Sequence, residues 1–321
     1  MCKKKYVAYL IVVMLLGLSS CGRTQDNGIP AADTGQGSVS SPTEAVQDDW
    51  KPESYEGMDD IIQITQVDDG NAAADEQAAA VTYRVCYQSG ECQVVSYLSI
   101  PEKCLEEKKA YPCIIFNRGG NQDYGALKAE EVRGMAEGFG KIVFASQYRG
   151  VDGGTGKDEF GGADLEDVLK LVDFCQEFSF VDKNEIYMMG VSRGGMMTYM
   201  ALREDARIKK GIVVSGEADV FMGYEEREDM REAVYEELIG GTPEELPQEY
   251  EKRSATYWAE EIQCPVLIIH SKKDKRVSFA QAEKMVRCLE KAGKEYRFVT
   301  YEDEVHGTHP EDFEVMMKWM Q

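Results

Sequence analysis

The chain has 321 residues, 43% of them hydrophobic, enough for one substantial core. Its 58 acidic against 36 basic residues give a formal charge of −22. That balance excludes nucleic acid as a partner, because holding a phosphate backbone needs clustered Lys and Arg. The three histidines, His270, His306 and His309, share no metal-ligating spacing with the cysteines, and no motif implies a cofactor.

Taken from the start, Lys3, Lys4 and Lys5 precede an apolar stretch from Tyr6 to Leu18 and then Ser19, Ser20 and Cys21. The stretch is short for a membrane span and has the basic, apolar and small-residue order of an export signal. Leu18-Ser19-Ser20-Cys21 resembles the bacterial lipoprotein box. That resemblance implies cleavage before Cys21, a lipid on its thiol and an extracytoplasmic chain tethered to the membrane; an ordinary secretory peptide or a retained anchor helix is the alternative. Residues 1–20 are expected to be the signal peptide, and their removal leaves a charge of about −25. Residues 21–57, rich in Gly, Ser, Thr, Gln, Asp and Pro, are expected to form a disordered tether. Residues 58–321 are expected to form one folded domain.

Strand-like patterning runs from about Asp60 to Ile100, in Ile62–Val67, Val81–Tyr87 and Val94–Ile100. Cys86 and Cys92 bracket the turn Gln88-Ser89-Gly90-Glu91, so either a cross-strand disulfide or two free thiols fits. After Pro112, apolar runs at Cys113–Phe116, Ile142–Ala145, Ile186–Met189, Ile212–Val214 and Val266–Ile269 alternate with amphipathic stretches such as Ala163–Phe178 and Ala280–Ala292. Uninterrupted apolar strands between helices predict an α/β fold, a mostly parallel sheet covered on both faces. The charged, helix-prone segment 221–261 lies between two strand candidates and reads as a helical cap insertion.

Chemistry enters at Met189-Gly190-Val191-Ser192-Arg193-Gly194-Gly195, where Gly-x-Ser-x-Gly follows a strand and opens a helix. That context makes a nucleophile elbow: small residues flank a strained turn that lifts the Ser192 hydroxyl above the sheet. Such a serine needs a base and an orienting acid, supplied downstream in the order acid then histidine. Asp274 follows the strand Val266–Ile269, and His306 follows the strand Tyr296–Tyr301, so these are the expected acid and base. His309 competes as base; Glu217 and Asp219 compete as acid; His270 is expected to be packed, and Asp303 and Glu304 to be a solvated loop face. An oxyanion needs donors, expected from the backbone N–H of Arg193 and from the loop Asn117-Arg118-Gly119-Gly120.

In order, Tyr148-Arg149-Gly150-Val151-Asp152-Gly153-Gly154, Gly161-Gly162-Ala163-Asp164-Leu165-Glu166-Asp167-Val168, the Ser192 elbow, Arg253-Ser254-Ala255, Pro265, Asp274, Val277 and His306-Gly307 resemble the catalytic domain of the prolyl oligopeptidase family of serine hydrolases. The resemblance covers about residues 110 to 320. It implies the α/β-hydrolase fold, a Ser192, Asp274 and His306 triad, and a peptidase acting on short peptides without a cofactor. A carboxylesterase acting on small or carbohydrate-linked esters is the second expectation, and a non-catalytic binding lipoprotein the third. Two departures stand out. Too few residues precede the catalytic region for the β-propeller many relatives carry, and Arg118 stands where relatives often place an oxyanion-binding Tyr. Arg118 is therefore expected to donate to the oxyanion, to hold a substrate carboxylate, or to be structural.

Overall fold

The structure is a computed structural model that describes residues 50–67 and 79–321. The expected signal peptide, Cys21 and the tether as far as residue 49 lie outside the described residues. Strands β1 (Ile61–Gln66), β2 (Ala80–Ser89) and β3 (Cys92–Pro101) precede the short helix α1 (Glu102–Glu107) and strand β4 (Tyr111–Asn117). Then come α2 (Ala129–Phe139), β5 (Ile142–Ser146), α3 (Asp164–Glu177), β6 (Val181–Val191), α4 (Arg193–Glu204) and β7 (Lys210–Val214). Helices α5 (Val220–Glu226) and α6 (Pro247–Arg253) lead to β8 (Val266–Ser271), α7 (Phe279–Lys291), β9 (Tyr296–Tyr301) and α8 (Asp312–Trp319).

These strands form one nine-stranded sheet in the order β1-β2-β3-β5-β4-β6-β7-β8-β9. The first three pair antiparallel, as does β3 with β5, and every pairing from β5 through β9 is parallel. Burial follows the pattern of the sequence. All of β5 and β8 is buried because apolar layers cover both faces, whereas β1 buries only Ile61 and Ile64, three residues apart across a register shift between Ile61 and Gln63. This places the ends of β6, β7 and β8, and the loops that leave them, along one rim of the sheet, where open parallel sheets present their sites.

One expectation is corrected, and one open pair of alternatives is decided. Order begins before residue 58: Pro52–Tyr55 form a 3₁₀ turn, and the buried Tyr55 ring meets Phe178 and Phe180 edge-on at 4.8 and 5.8 Å. An aromatic ring with an apolar seat outweighs the polar composition around it. Cys86 and Cys92 are free thiols. The hairpin register sets Cys92 opposite Ser89 and Cys86 opposite Val95. The two cysteines therefore belong to pairs three residues apart and point to opposite faces, which no disulfide spans.

Segment 221–261 between β7 and β8 is helical but irregular: most of α5, a π-helical stretch Arg231–Ile239, α6 and three 3₁₀ turns. Despite its charge it buries Val234, Tyr235, Leu238, Ile239 and Tyr250. Tyr235 packs edge-on against Phe160 at 5.5 Å, and Arg253 Nε donates to Phe160 O at 2.8 Å, which fastens the segment to the loop before α3.

Candidate active site

The turn between β6 and α4 holds Ser192 at φ 58° and ψ −125°, a left-handed conformation that only a well-supported turn retains. The support is close approach. A side chain at Gly190 would run into Gly194 O, and one at Gly194 into Asn117 O, so the chain can fold this tightly only through glycine. Ser192 N–H donates to Val214 O at 3.1 Å, and Ser192 O accepts from the N–H groups of Gly195 at 2.9 Å and Glu217 at 3.2 Å.

Asp274 and His306, thirty-two residues apart, are brought together by the parallel pairing of β8 and β9. Asp274 Oδ2 and His306 Nδ1 lie 2.8 Å apart, and Asp274 Oδ1 accepts from the N–H groups of Arg276 at 2.8 Å and Val277 at 3.2 Å. Burial works to raise the Asp274 carboxyl, but the His306 hydrogen bond and charge and these two N–H groups outweigh it and hold the group below its ordinary range. No hydrogen bond joins Ser192 Oγ to His306 among the described residues. The two are tied through neighbours instead, Gly307 N–H donating to Ser215 Oγ at 3.1 Å just beyond β7.

The competing candidates have other work. His309 stacks on Tyr301 with centroids 3.7 Å apart and pairs with Asp303 at 2.9 Å. His270 is buried behind Asp274, its Nε2 2.9 Å from Val277 O, and burial lowers its pKa. Asp219 caps α5 by accepting from Met222 N–H at 3.1 Å and bonds Thr256 and Lys284. Glu217 bonds Tyr235 rather than His306.

Of the three alternatives for the Arg118 side chain, its surroundings favour the structural one. It is 1% exposed, and all five of its N–H groups are committed: Nε and Nη2 to Gln147 O, Nη2 also to Gln122 O, and Nη1 to Gly119 O and Tyr124 O. A saturated guanidinium has nothing left for an oxyanion or a substrate carboxylate; its work is to fold the loop after β4. Gly119 stands differently. A Cβ there would lie 3.1 Å from Val191 O and 3.3 Å from Ser192 Cβ, so its backbone rests against Ser192. Arg193, at the first position of α4, has its backbone N–H in the helix's unpaired first turn.

Sequence reasoning missed what holds Arg193. Its guanidinium is 2% exposed and pairs with Asp158 and Asp164, and it lies 4.7 Å from the centre of the Tyr148 ring, which Arg118 also approaches to 4.9 Å. Burial works to raise Asp158, and the Arg193 charge and hydrogen bond overcome it, leaving that carboxyl below its ordinary range. Asp164 lies within one of the quoted runs, but no pairing with a residue twenty-nine positions away is visible in a sequence.

A cavity of about 260 Å³ opens at Ser192, lined by residues that include Phe160, Glu217, Met230, Val234, Tyr235 and Val277. Glu217 is 4% exposed; burial, opposed by the Tyr235 hydrogen bond and by Arg227, pushes its carboxyl up to about 7.

Against known proteins, residues 135–321 match the prolyl oligopeptidase family. The chain is 33% identical over 224 residues to the uncharacterized peptidase YtmA of Bacillus subtilis, covering 68% of this chain and 84% of that one. It is 26% identical over 280 residues to dipeptidyl-peptidase 5 of Porphyromonas gingivalis, covering 80% of this chain but 40% of that longer protein. Among solved structures, acylaminoacyl peptidase from Pyrococcus horikoshii superposes with a TM-score of 0.65 at 22% identity, over 75% of this chain and 41% of that one, a likeness of fold. Between the peptidase and esterase expectations, these findings favour the peptidase. The chain belongs to the prolyl oligopeptidase family of serine peptidases, built on the α/β-hydrolase fold.

Proposed function

We propose that the chain hydrolyses peptide bonds in short peptides, with Ser192 as nucleophile, His306 as base and Asp274 as orienting acid. The observation that carries this reading is the 2.8 Å Asp274 to His306 hydrogen bond beside the strained elbow. Ser192 Oγ attacks the carbonyl carbon as its proton passes to His306 Nε2. The C–N bond then breaks, the same proton leaves with the amine, and an acyl ester remains on Ser192. Water, giving a proton to His306, attacks that ester; the proton returns to Ser192 Oγ as the acid departs. Sites of this kind tighten their nucleophile to base contact on binding substrate. The backbone N–H groups of Arg193 and Gly119 are the donors proposed for the oxyanion, on the strength of their position against Ser192.

Short peptides suit a cavity of about 260 Å³ bordered by the helical segment 221–261. Side-by-side assays on aminoacyl amides, dipeptide amides and p-nitrophenyl esters test the reading. Amide hydrolysis is expected, and turnover of esters alone would overturn it. The proposed setting is outside the cytoplasm, on a membrane, supported by Leu18-Ser19-Ser20-Cys21. Labelled palmitate should enter the full-length protein and fail to enter Cys21→Ser; equal labelling of both would refute the anchor.

A further inference from the structure

The cavity at Ser192 has a wall of Phe160, Met230, Val234 and Val277, and one acid, Glu217, set into it. A carboxylate is costly to bury in apolar surroundings without a partner. Glu217 has half of one: Oε1 accepts from Tyr235 Oη at 2.7 Å, while Oε2 has no hydrogen-bond partner among the described residues. Room has been made for this arrangement, because any side chain at residue 223 would run into Glu217 Oε1 and Tyr235 Oη, and residue 223 is glycine. Glu217 is also main-chain neighbour to the nucleophile, its N–H donating to Ser192 O at 3.2 Å. Whatever its carboxylate holds therefore sits beside the carbonyl under attack.

None of the cations around the cavity pairs with it, and Arg227 only partly offsets its charge. Arg193 is committed to Asp158 and Asp164. Arg227 gives Nε and Nη2 to Asp229 at 2.8 and 2.7 Å and Nη1 to Arg276 O at 3.0 Å. Arg276 is exposed at the rim, where solvent screens it, and reaches Tyr124 Oη at 3.3 Å. We propose that Glu217 is a specificity residue, accepting through Oε2 a cationic nitrogen, ammonium or guanidinium, carried by the residue whose carbonyl Ser192 attacks. The inference rests on Ser192 being the nucleophile. The nitrogen has two sources, a basic side chain or the free α-amine of an amino-terminal residue.

Three diphenyl α-aminoalkylphosphonates separate them: an N-acetylated lysine analogue, an N-acetylated norleucine analogue, and the norleucine analogue with its amine free. Each forms a Ser192 Oγ–P bond and expels phenol, so inactivation rates read the cavity whatever bond the enzyme prefers to hydrolyse. At least one cationic probe is expected to react about tenfold or more faster than the neutral one, the scale of a charge-assisted hydrogen bond. The faster one names the source. Glu217→Gln should bring the ratio close to one, and Glu217→Asp, which keeps the charge on a shorter arm, should restore part of it, with circular dichroism confirming that both fold. Equal rates in the wild type, or a ratio that survives Glu217→Gln, would overturn the proposal. Labelling with this preference while every amide stays intact would sink the peptidase reading and leave Glu217 its role. Absence of any labelling would remove the nucleophile and this inference together.

Discussion

Glu217→Gln should make the protein more stable, and only at high pH. Folding pushes the Glu217 carboxyl from the ordinary 4.5 to about 7, chiefly by burial, with Asp219 and Glu226 adding to it and Tyr235 and Arg227 opposing. A raised carboxyl favours the folded state fully below the unfolded value, and that advantage is lost as pH rises towards 7. The displacement corresponds to about 3 kcal/mol of stability missing at pH 9 relative to pH 4. Glutamine keeps the shape and a carbonyl for the Tyr235 hydroxyl but carries no charge, so it avoids that loss. Urea unfolding of wild type and variant, followed by tryptophan fluorescence at pH 5 and pH 9, gives the difference directly. The variant should match wild type to within about 1 kcal/mol at pH 5 and exceed it by about 2–3 kcal/mol at pH 9. A variant less stable at pH 9, or an offset equal at both pH values, would refute the burial argument. A gain in stability from replacing a side chain beside Ser192 would fit a group kept for the binding role proposed for Glu217.

Other perturbations separate the working parts from their supports. Asp274→Asn should lower kcat about 10³–10⁴-fold by misorienting His306, read on whichever amide the wild type turns over. Arg193→Met leaves Asp158 and Asp164 buried without their cation and should cost about 3–5 kcal/mol in chemical denaturation. Arg118→Met strips the cation from four backbone carbonyls and should lower stability by about 2 kcal/mol or more, while kcat of the folded fraction stays within about threefold. A large loss of kcat in stable Arg118→Met would return that residue to the oxyanion.

The sheet was legible because strands buried on both faces must be written as unbroken apolar runs, and Cys113–Phe116, Ile142–Ala145 and Val266–Ile269 all fall within strands of the structure. The elbow was legible because Gly-x-Ser-x-Gly between a strand and a helix is a local pattern and Gly190 is demanded by Gly194 O four residues on, although the contact that demands Gly194, with Asn117 O, comes from a distant strand. Asp274 and His306 could be placed by chain order, since each follows a strand of the parallel series. What escaped were features decided by distant pairing. Arg118 reads as a cation beside a glycine-rich loop until Gln147 O, twenty-nine residues away, takes two of its donors. Cys86 and Cys92 fit either a bridge or two free thiols until the hairpin register fixes their faces. Glu217 reads as a competing triad acid, because the glycine and tyrosine that seat it lie in an irregular segment whose geometry no periodicity announces.

The central claim is that Ser192 is the reactive group. Intact-mass and peptide-mapping analysis after treatment with a fluorophosphonate should show one adduct, on Ser192, absent from Ser192→Ala and strongly slowed in His306→Ala. A folded wild type that takes no label, or one labelled elsewhere while Ser192→Ala labels equally well, would contradict the account.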